Sequence, residues 1–274
     1  TASLSNLFVD LSAVLQHMPQ IALGDIIGGN LVDLTLAMAV IVFFSKKGVS
    51  TDSSMIQGSS LFTFFIALLP IFLIATGKVT RIDGVVLLSA FFIYMYWLFS
   101  KDDRYKKVYQ TIHTKDITSK LKFYIFLKNL AKLAVIAVLL FIVSQGVINS
   151  AQVFASSLGV SLSLVSILIV GLAGCLSETY FGFISARRGQ GWMVMGDMMG
   201  SVIISATLVL GIIALVSPFE INDMAPFLIA RVFTVIAALF FVILVRTDKK
   251  LTKKEALLLL FIYIFFLLAE IFIK

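Results

Sequence analysis

Glu178 and Asp197 are carboxylates set in two consecutive stretches that are otherwise apolar, 159–186 and 193–216. A charged side chain at membrane depth is costly unless water, a cation or a protein partner meets it. On a helix, residues four apart share a face. Asp25, Gly29 and Asp33 therefore form one stripe, and Asp197, Ser201 and Ser205 form another with the same spacing. Glu178 shares its face with the small residues Gly171, Gly174, Cys175, Gly182 and Ser185, while Asn6 has Ser3 before it and Asp10 a turn after it. These groups are oxygen ligands, which suit hard cations such as Ca2+; zinc and other softer metals want Cys or His. With one cysteine, Cys175, and two histidines, His17 and His113, the chain offers neither a thiolate or imidazole zinc site nor an internal disulfide. Carboxylates crowded together also imply that protons compete with cations for the site.

The elements that position these residues follow from composition. Hydrophobic residues make up 60% of the 274 and charged ones 14%. Several apolar runs reach the roughly 20 residues a helix needs to cross a bilayer. The expectation is an all-α polytopic membrane protein with helices near 1–16, 22–44, 58–76, 82–100, 123–148, 159–186, 193–216, 226–246 and 255–273. The net charge of +7 sits in loops, so it reports topology and gives no reason to expect nucleic acid as a partner. One set of alternate loops holds Lys46, Lys47, the basic residues of 101–122, Arg187, Arg188 and five from Arg246 to Lys254; the other holds only Lys78, Arg81 and Lys274. The positive-inside rule makes the first set cytoplasmic, including the 101–122 connector, and puts the C-terminus outside. Tyr94, Tyr96 and Trp97, near a cytoplasmic helix end, read as an aromatic belt facing lipid.

The chain also repeats itself. A shift of 172 residues lays GDIIGGNLVD (24–33) on GDMMGSVIIS (196–205), carries Leu4-Ser5-Asn6 onto Leu176-Ser177-Glu178, and maps 57–99 onto 229–271. This predicts three parts: a first repeat over 1–100, the 101–122 connector, and a second repeat over 123–274. The second copy has a helix and a half before its match; the first has five residues, so the first repeat is expected to be N-terminally incomplete. Restored, each repeat has an odd number of spans, five, and the second is inserted upside down. Inverted repeats of this kind place a site at the midplane between the halves. Symmetry would then gather Asn6, Asp10, Asp25, Asp33, Glu178, Asp197, Ser201 and Ser205 around one cavity.

These motifs resemble the cation/calcium exchanger superfamily in its prokaryotic form, to which the sodium/calcium exchangers belong. That repeat reads roughly G-T-S-x-P-E, then G-N-x-x-G-S-N-x-x-N/D a helix later. Here the first copy is Thr1-Ala2-Ser3-Leu4-Ser5-Asn6 with Gly24 to Asp33, and the second is Gly174-Cys175-Leu176-Ser177-Glu178 with Gly196 to Ser205. The resemblance implies a secondary active transporter, without enzymatic activity or a cofactor, that exchanges Ca2+ or a similar cation against Na+ or H+ by alternating access. It implies an integral protein of a prokaryotic inner or plasma membrane, with the bilayer and inorganic cations as its partners. Carried over by position, ion binding falls to Glu178 and Asn6, Ser3 and Cys175, Gly29 and Ser201, and Asp33 and Ser205, with Glu178, Asp33 and Asp197 as the metal-binding carboxylates. The departures are specific: Asn6 stands where the family has a glutamate, Ser5 and Ser177 where it has prolines, Cys175 and Gly29 where it has hydroxyls, and Asp25 and Asp197 where it has asparagines.

Several readings remain paired. Asp10 either returns the charge missing at Asn6, displaced by about 6 Å along the helix, or faces a wet vestibule. Asp25 and Asp197 either join the site or cap helix ends. The Gly24/Gly28 and Gly196/Gly200 pairs indicate close helix packing, ligand approach or both. Arg231 either snorkels to the interface or pairs with a site acid. For the whole chain, the alternative to a transporter is a degenerate, non-transporting scaffold or subunit of the same fold.

Overall fold

The computed structural model describes residues 2–100, 119–221 and 224–272, with side chains from residue 5 in the first stretch and from 128 in the second. Helix α1 (Ala2–Leu15) is followed by α2 (Pro19–Phe44), α3 (Ser54–Thr76) and α4 (Arg81–Phe99). Then come α5 (Ser119–Leu158), α6 (Leu162–Arg187), α7 (Gly191–Val216), α8 (Ala225–Thr247) and α9 (Lys253–Phe272). Among the described residues, eight helices are long and apolar enough to cross a membrane. The connector 101–122 lies outside them up to residue 118, and Ser119 already begins α5.

Local chemistry fixes the helix ends, and it recurs at the 172-residue spacing. Thr80 and Asp83 form a capping box at the start of α4, the Asp83 carboxylate accepting from the Thr80 N–H at 2.8 Å. At α9 the Glu255 carboxylate accepts from the Thr252 N–H at 2.6 Å. Helix α2 is α-helical to Val32, π-helical over Asp33–Ala37 and α-helical again to Phe44. Helix α7 repeats this with a π segment at Ile204–Val209.

Two short antiparallel ribbons tie the loops together. Strand β1 (Val49–Ser50) pairs with β4 (Lys250–Leu251), Val49 opposite Leu251. Strand β2 (Lys78–Val79) pairs with β3 (Phe219–Glu220), Lys78 opposite Glu220. The first ribbon joins the exit of α2 to the α8–α9 link; the second joins the α3–α4 link to the exit of α7.

Helices α2 and α7 are the most deeply buried spans and α5 the least. The crossing of α2 with α6 is close because small residues meet there. An ideal Cβ on Gly24 would lie 2.3 Å from Ser166 Cβ, and one on Gly28 would lie 2.2 Å from the Ile167 carbonyl oxygen. Packing is thus the reading that holds for this pair. It does not hold for Gly196 and Gly200, which meet nothing within 4 Å: no described element stands against them as α6 stands against α2.

Other expectations need correction. Helix α5 continues ten residues past 148, through a polar run, because Ile148, Ala151 and Ala155 pack with Ala13, Ile21, Val165 and Val170. Helix α6 is not continuous. It has a π segment at Ser166–Val170 and is interrupted at Cys175, whose N–H turns to the Ala173 carbonyl. Tyr94 does not face lipid: it is buried, its hydroxyl 3.3 Å from Ser59 Oγ and its ring against Phe62 and Trp97. Trp97 in turn covers Gly58; Tyr96 alone of the three is fully exposed.

Candidate functional site

The site forms where α1, α2, α6 and α7 meet. Glu178 lies just past the break in α6 and is 2% exposed, so it points into protein. One of its oxygens, Oε2, accepts from the Ser177 hydroxyl at 2.8 Å, while Oε1 has no hydrogen-bond partner. Asp33, 1% exposed, opens the π segment of α2 and stands beside the Cys175 thiol and the Ser201 hydroxyl. Its Oδ1 also lacks a partner. A π turn puts one extra residue into the helix and is often found where function needs a side chain re-aimed.

Glu178 is the hub. Asp25, Asp33 and Asp197 each lie within its electrostatic reach, and Asp33 and Asp197 within reach of one another. Asp197 is half-buried, with Oδ2 buried and unpartnered. Asp25 and Asp197 lie inside their helices, so the capping alternative falls.

Asn6 comes to the same place. An ideal Cβ on Gly174 would lie 3.0 Å from Asp25 Oδ1 and 3.2 Å from Asn6 Nδ2. The glycine, on the far side of the Cys175 break from Glu178, therefore leaves room for the first-half amide. Asp10 is 1% exposed, which removes the vestibule alternative. Ser3 is one turn before Asn6 on α1; its side chain lies outside the described residues.

Neutral oxygens complete the set. Ser201 is buried beside Asp33. Ser205 donates to Asn30 Oδ1 at 2.6 Å, which leaves its own lone pairs to accept or ligate. The Cys175 thiol donates to the Gly29 carbonyl at 3.3 Å, so it holds α6 against α2. Sequence reasoning missed Asn30 and the donor role of Ser177. A lone amide inside the apolar run of α2 was the available signal for the first.

Among the described residues, no three of His, Cys, Asp and Glu stand close enough to share one ion as a preformed acidic cluster. The arrangement instead offers carboxylates in adjacent pairs, with hydroxyl, amide and carbonyl oxygens around them. That is the donor set of a hard, exchangeable cation rather than a tightly held structural metal. Among the described residues no ion pair joins a basic side chain to it. The ion pairs seen among the described residues, Lys78–Glu220 and Lys249–Asp52, are on the surface. Among the described residues Arg231 forms no ion pair with a site acid; its Nη2 donates to the Ile71 carbonyl at 3.3 Å, tying α8 to α3.

Comparison with known proteins extends this geometry. The family described as sodium/calcium exchanger protein matches residues 1–100 and 128–272. The sodium/calcium exchanger MaX1 of Methanosarcina acetivorans is 25% identical over 148 residues, which cover 54% of this chain and 42% of MaX1. The solved structure of the sodium-calcium exchanger NCX_Mj soaked with Na+ and Sr2+ aligns with a TM-score of 0.65 at 21% identity, covering 98% of this chain and 83% of its own. The crystal structure of the H+/Ca2+ exchanger CAX aligns at 0.75 and 19% identity, covering 97% and 72%. At those identities the two structures testify to the fold.

Proposed function

The chain belongs to the sodium/calcium exchanger family, and from that premise we propose that it is a secondary active transporter exchanging Ca2+ or a similar cation against Na+ or H+. It is an integral membrane protein, and the members of its family are transporters rather than enzymes. The observation that carries the reading is that Glu178 Oε1, Asp33 Oδ1 and Asp197 Oδ2 are buried carboxyl oxygens without donors, Asp33 and Asp197 each within electrostatic reach of Glu178 and Asp33 beside Ser201. A buried carboxylate without a partner carries a desolvation cost of several kcal/mol. A cation coordinated there offsets that cost and makes the buried charge useful.

Two inverted repeats, α1–α4 over 1–100 and α5–α9 over 123–274, joined by the 101–122 connector, are the architecture this proposal assumes. The recurring π segments and helix caps support it. So do the ribbons: they join exits and links that helices crossing alternately would leave on the same side. With the charge distribution of the loops, the β1–β4 side is cytoplasmic, together with 101–122, and the C-terminus is outside. Glu178, Asp33 and Asp197 are the principal metal-binding carboxylates, with Asn6, Ser3, Ser201 and Ser205 around them. Alternating access then consists of exposing this midplane site to one side at a time.

Asn6 favours a second reading, since a site that usually has two glutamates has one here; that reading is a non-transporting scaffold of the same fold. Uptake of radiolabelled Ca2+ into vesicles containing the purified chain separates the two. The transporter reading expects uptake driven by an outward Na+ or H+ gradient and abolished when the gradient is collapsed. Uptake equal to that of protein-free vesicles under both gradients would favour the scaffold.

A further inference from the structure

Next to the Glu178 site lies a second acidic pair that the central geometry does not explain. Asp10 on α1 and Asp25 on α2 are 1% and 4% exposed. Neither oxygen of Asp10 has a hydrogen-bond donor, and the two carboxyls stand within hydrogen-bonding reach of each other. Two carboxylates that close repel, and each has given up its water, so both stay charged only if a cation lies between them; otherwise they share a proton. Among the described residues no basic side chain is paired with either. The ion pairs of the described residues lie elsewhere on the surface, and Lys128 and Lys132 on α5, the helix packed against α1, are exposed. The Ser12 hydroxyl on α1 is engaged with Ser144 of α5 at 2.8 Å.

What surrounds the pair is oxygen. The Asn6 amide is one turn before Asp10. Gly174, where α6 is about to break, has no side chain at the point where Asp25 Oδ1 and the Asn6 amide converge, 3.0 and 3.2 to 3.4 Å from its ideal Cβ. The second half has no equivalent: the position 172 residues after Asp10 is Gly182, and an ideal Cβ there would lie 2.4 Å from Ile41 Cδ1. A carboxylate therefore stands four residues after Asn6 in this half alone.

We propose that Asp10 and Asp25, with the Asn6 side-chain oxygen, form a second cation subsite that takes a hard cation, Ca2+ or Na+, beside the Glu178 site. The proposal rests on the exchanger reading. It makes ion binding asymmetric between the halves, with one ion held mainly by Glu178 and Asp33 and another by the Asp10–Asp25 pair.

The test is equilibrium binding to the detergent-purified chain, with Ca2+ alone and then Na+ alone, for wild type, Asp10→Asn, Asp25→Asn, Asp10→Glu and Glu178→Gln. Asp10→Asn and Asp25→Asn should each bind one cation fewer per chain than wild type in at least one of the two ions, while keeping a Glu178-dependent ion. Asp10→Glu, which retains the charge, should keep the wild-type count. Unchanged counts in both Asn variants beside a reduced count in Glu178→Gln would overturn the subsite and leave the exchanger reading standing, the pair then holding a proton. Loss of all binding in Asp10→Asn, or loss in Asp10→Glu, would also overturn it, by assigning Asp10 to one undivided site or to packing. A wild-type chain that binds neither ion would remove both proposals together.

Discussion

Glu178→Gln should remove most of the Ca2+-dependent stabilisation and at the same time make the ion-free protein more stable. The two effects have one cause. Glu178 is buried with Oε1 unpartnered and has Asp25, Asp33 and Asp197 around it, so its charge is expensive without an ion and indispensable with one. A ligand present at about a hundred times its dissociation constant stabilises the state that binds it by about 2.7 kcal/mol. Thermal unfolding in detergent, with and without Ca2+, should show a shift of that order in wild type and a clearly smaller one in the variant. The ion-free variant should unfold at a higher temperature than ion-free wild type. A variant stabilised by Ca2+ as much as wild type would place the ion elsewhere.

The second large effect concerns the helix crossing that holds the site together. Gly28→Ala puts a Cβ 2.2 Å from the Ile167 carbonyl oxygen and 2.9 Å from its carbonyl carbon. Both are backbone atoms within the π segment of α6, which cannot swing aside as a side-chain end could. Overpacking of this type typically costs about 1–3 kcal/mol, and the site suffers with it: the same crossing seats the Cys175 thiol on the Gly29 carbonyl. Gly200→Ala, the identical change 172 residues later, meets nothing within 4 Å. In a helix interior it should be neutral or gain up to about 1 kcal/mol of helix propensity. Unfolding temperatures of the two variants should therefore move in opposite directions, or only the first should move. Equal losses would mean that the α2–α6 contact is not the tight one.

The contrast between these two glycines also shows what a sequence can and cannot carry. The 172-residue repeat made Gly24, Gly28, Gly196 and Gly200 look alike, and spacing alone cannot say which pair has a helix against it. The acids were legible for a different reason. Asp25, Asp33 and Glu178 stand out because an apolar helix gives no other ground for tolerating them, and helical spacing of four then predicts which residues share their face. The break at Cys175 and the π segments at Asp33–Ala37 and Ile204–Val209 left no compositional trace, because they change hydrogen-bond register rather than residue type. The ribbons were invisible too, since strands of two residues have no periodicity to read. Tyr94 was misjudged because an aromatic near a helix end reads as an interface anchor until Phe62, Ser59 and Trp97 are seen around it.

The central claim is that Asn6 from one half of the chain and Glu178 from the other line one ion-binding pocket. Returning the carboxylate from the opposite half tests it most directly. Ca2+ affinity should be measured for wild type, Glu178→Gln, Asn6→Glu and the Asn6→Glu/Glu178→Gln double variant. On this account Asn6→Glu restores a substantial part of the affinity that Glu178→Gln removes, because the new charge enters the same pocket. A double variant that binds Ca2+ no better than Glu178→Gln, while Asn6→Glu alone leaves affinity at the wild-type level, would contradict it.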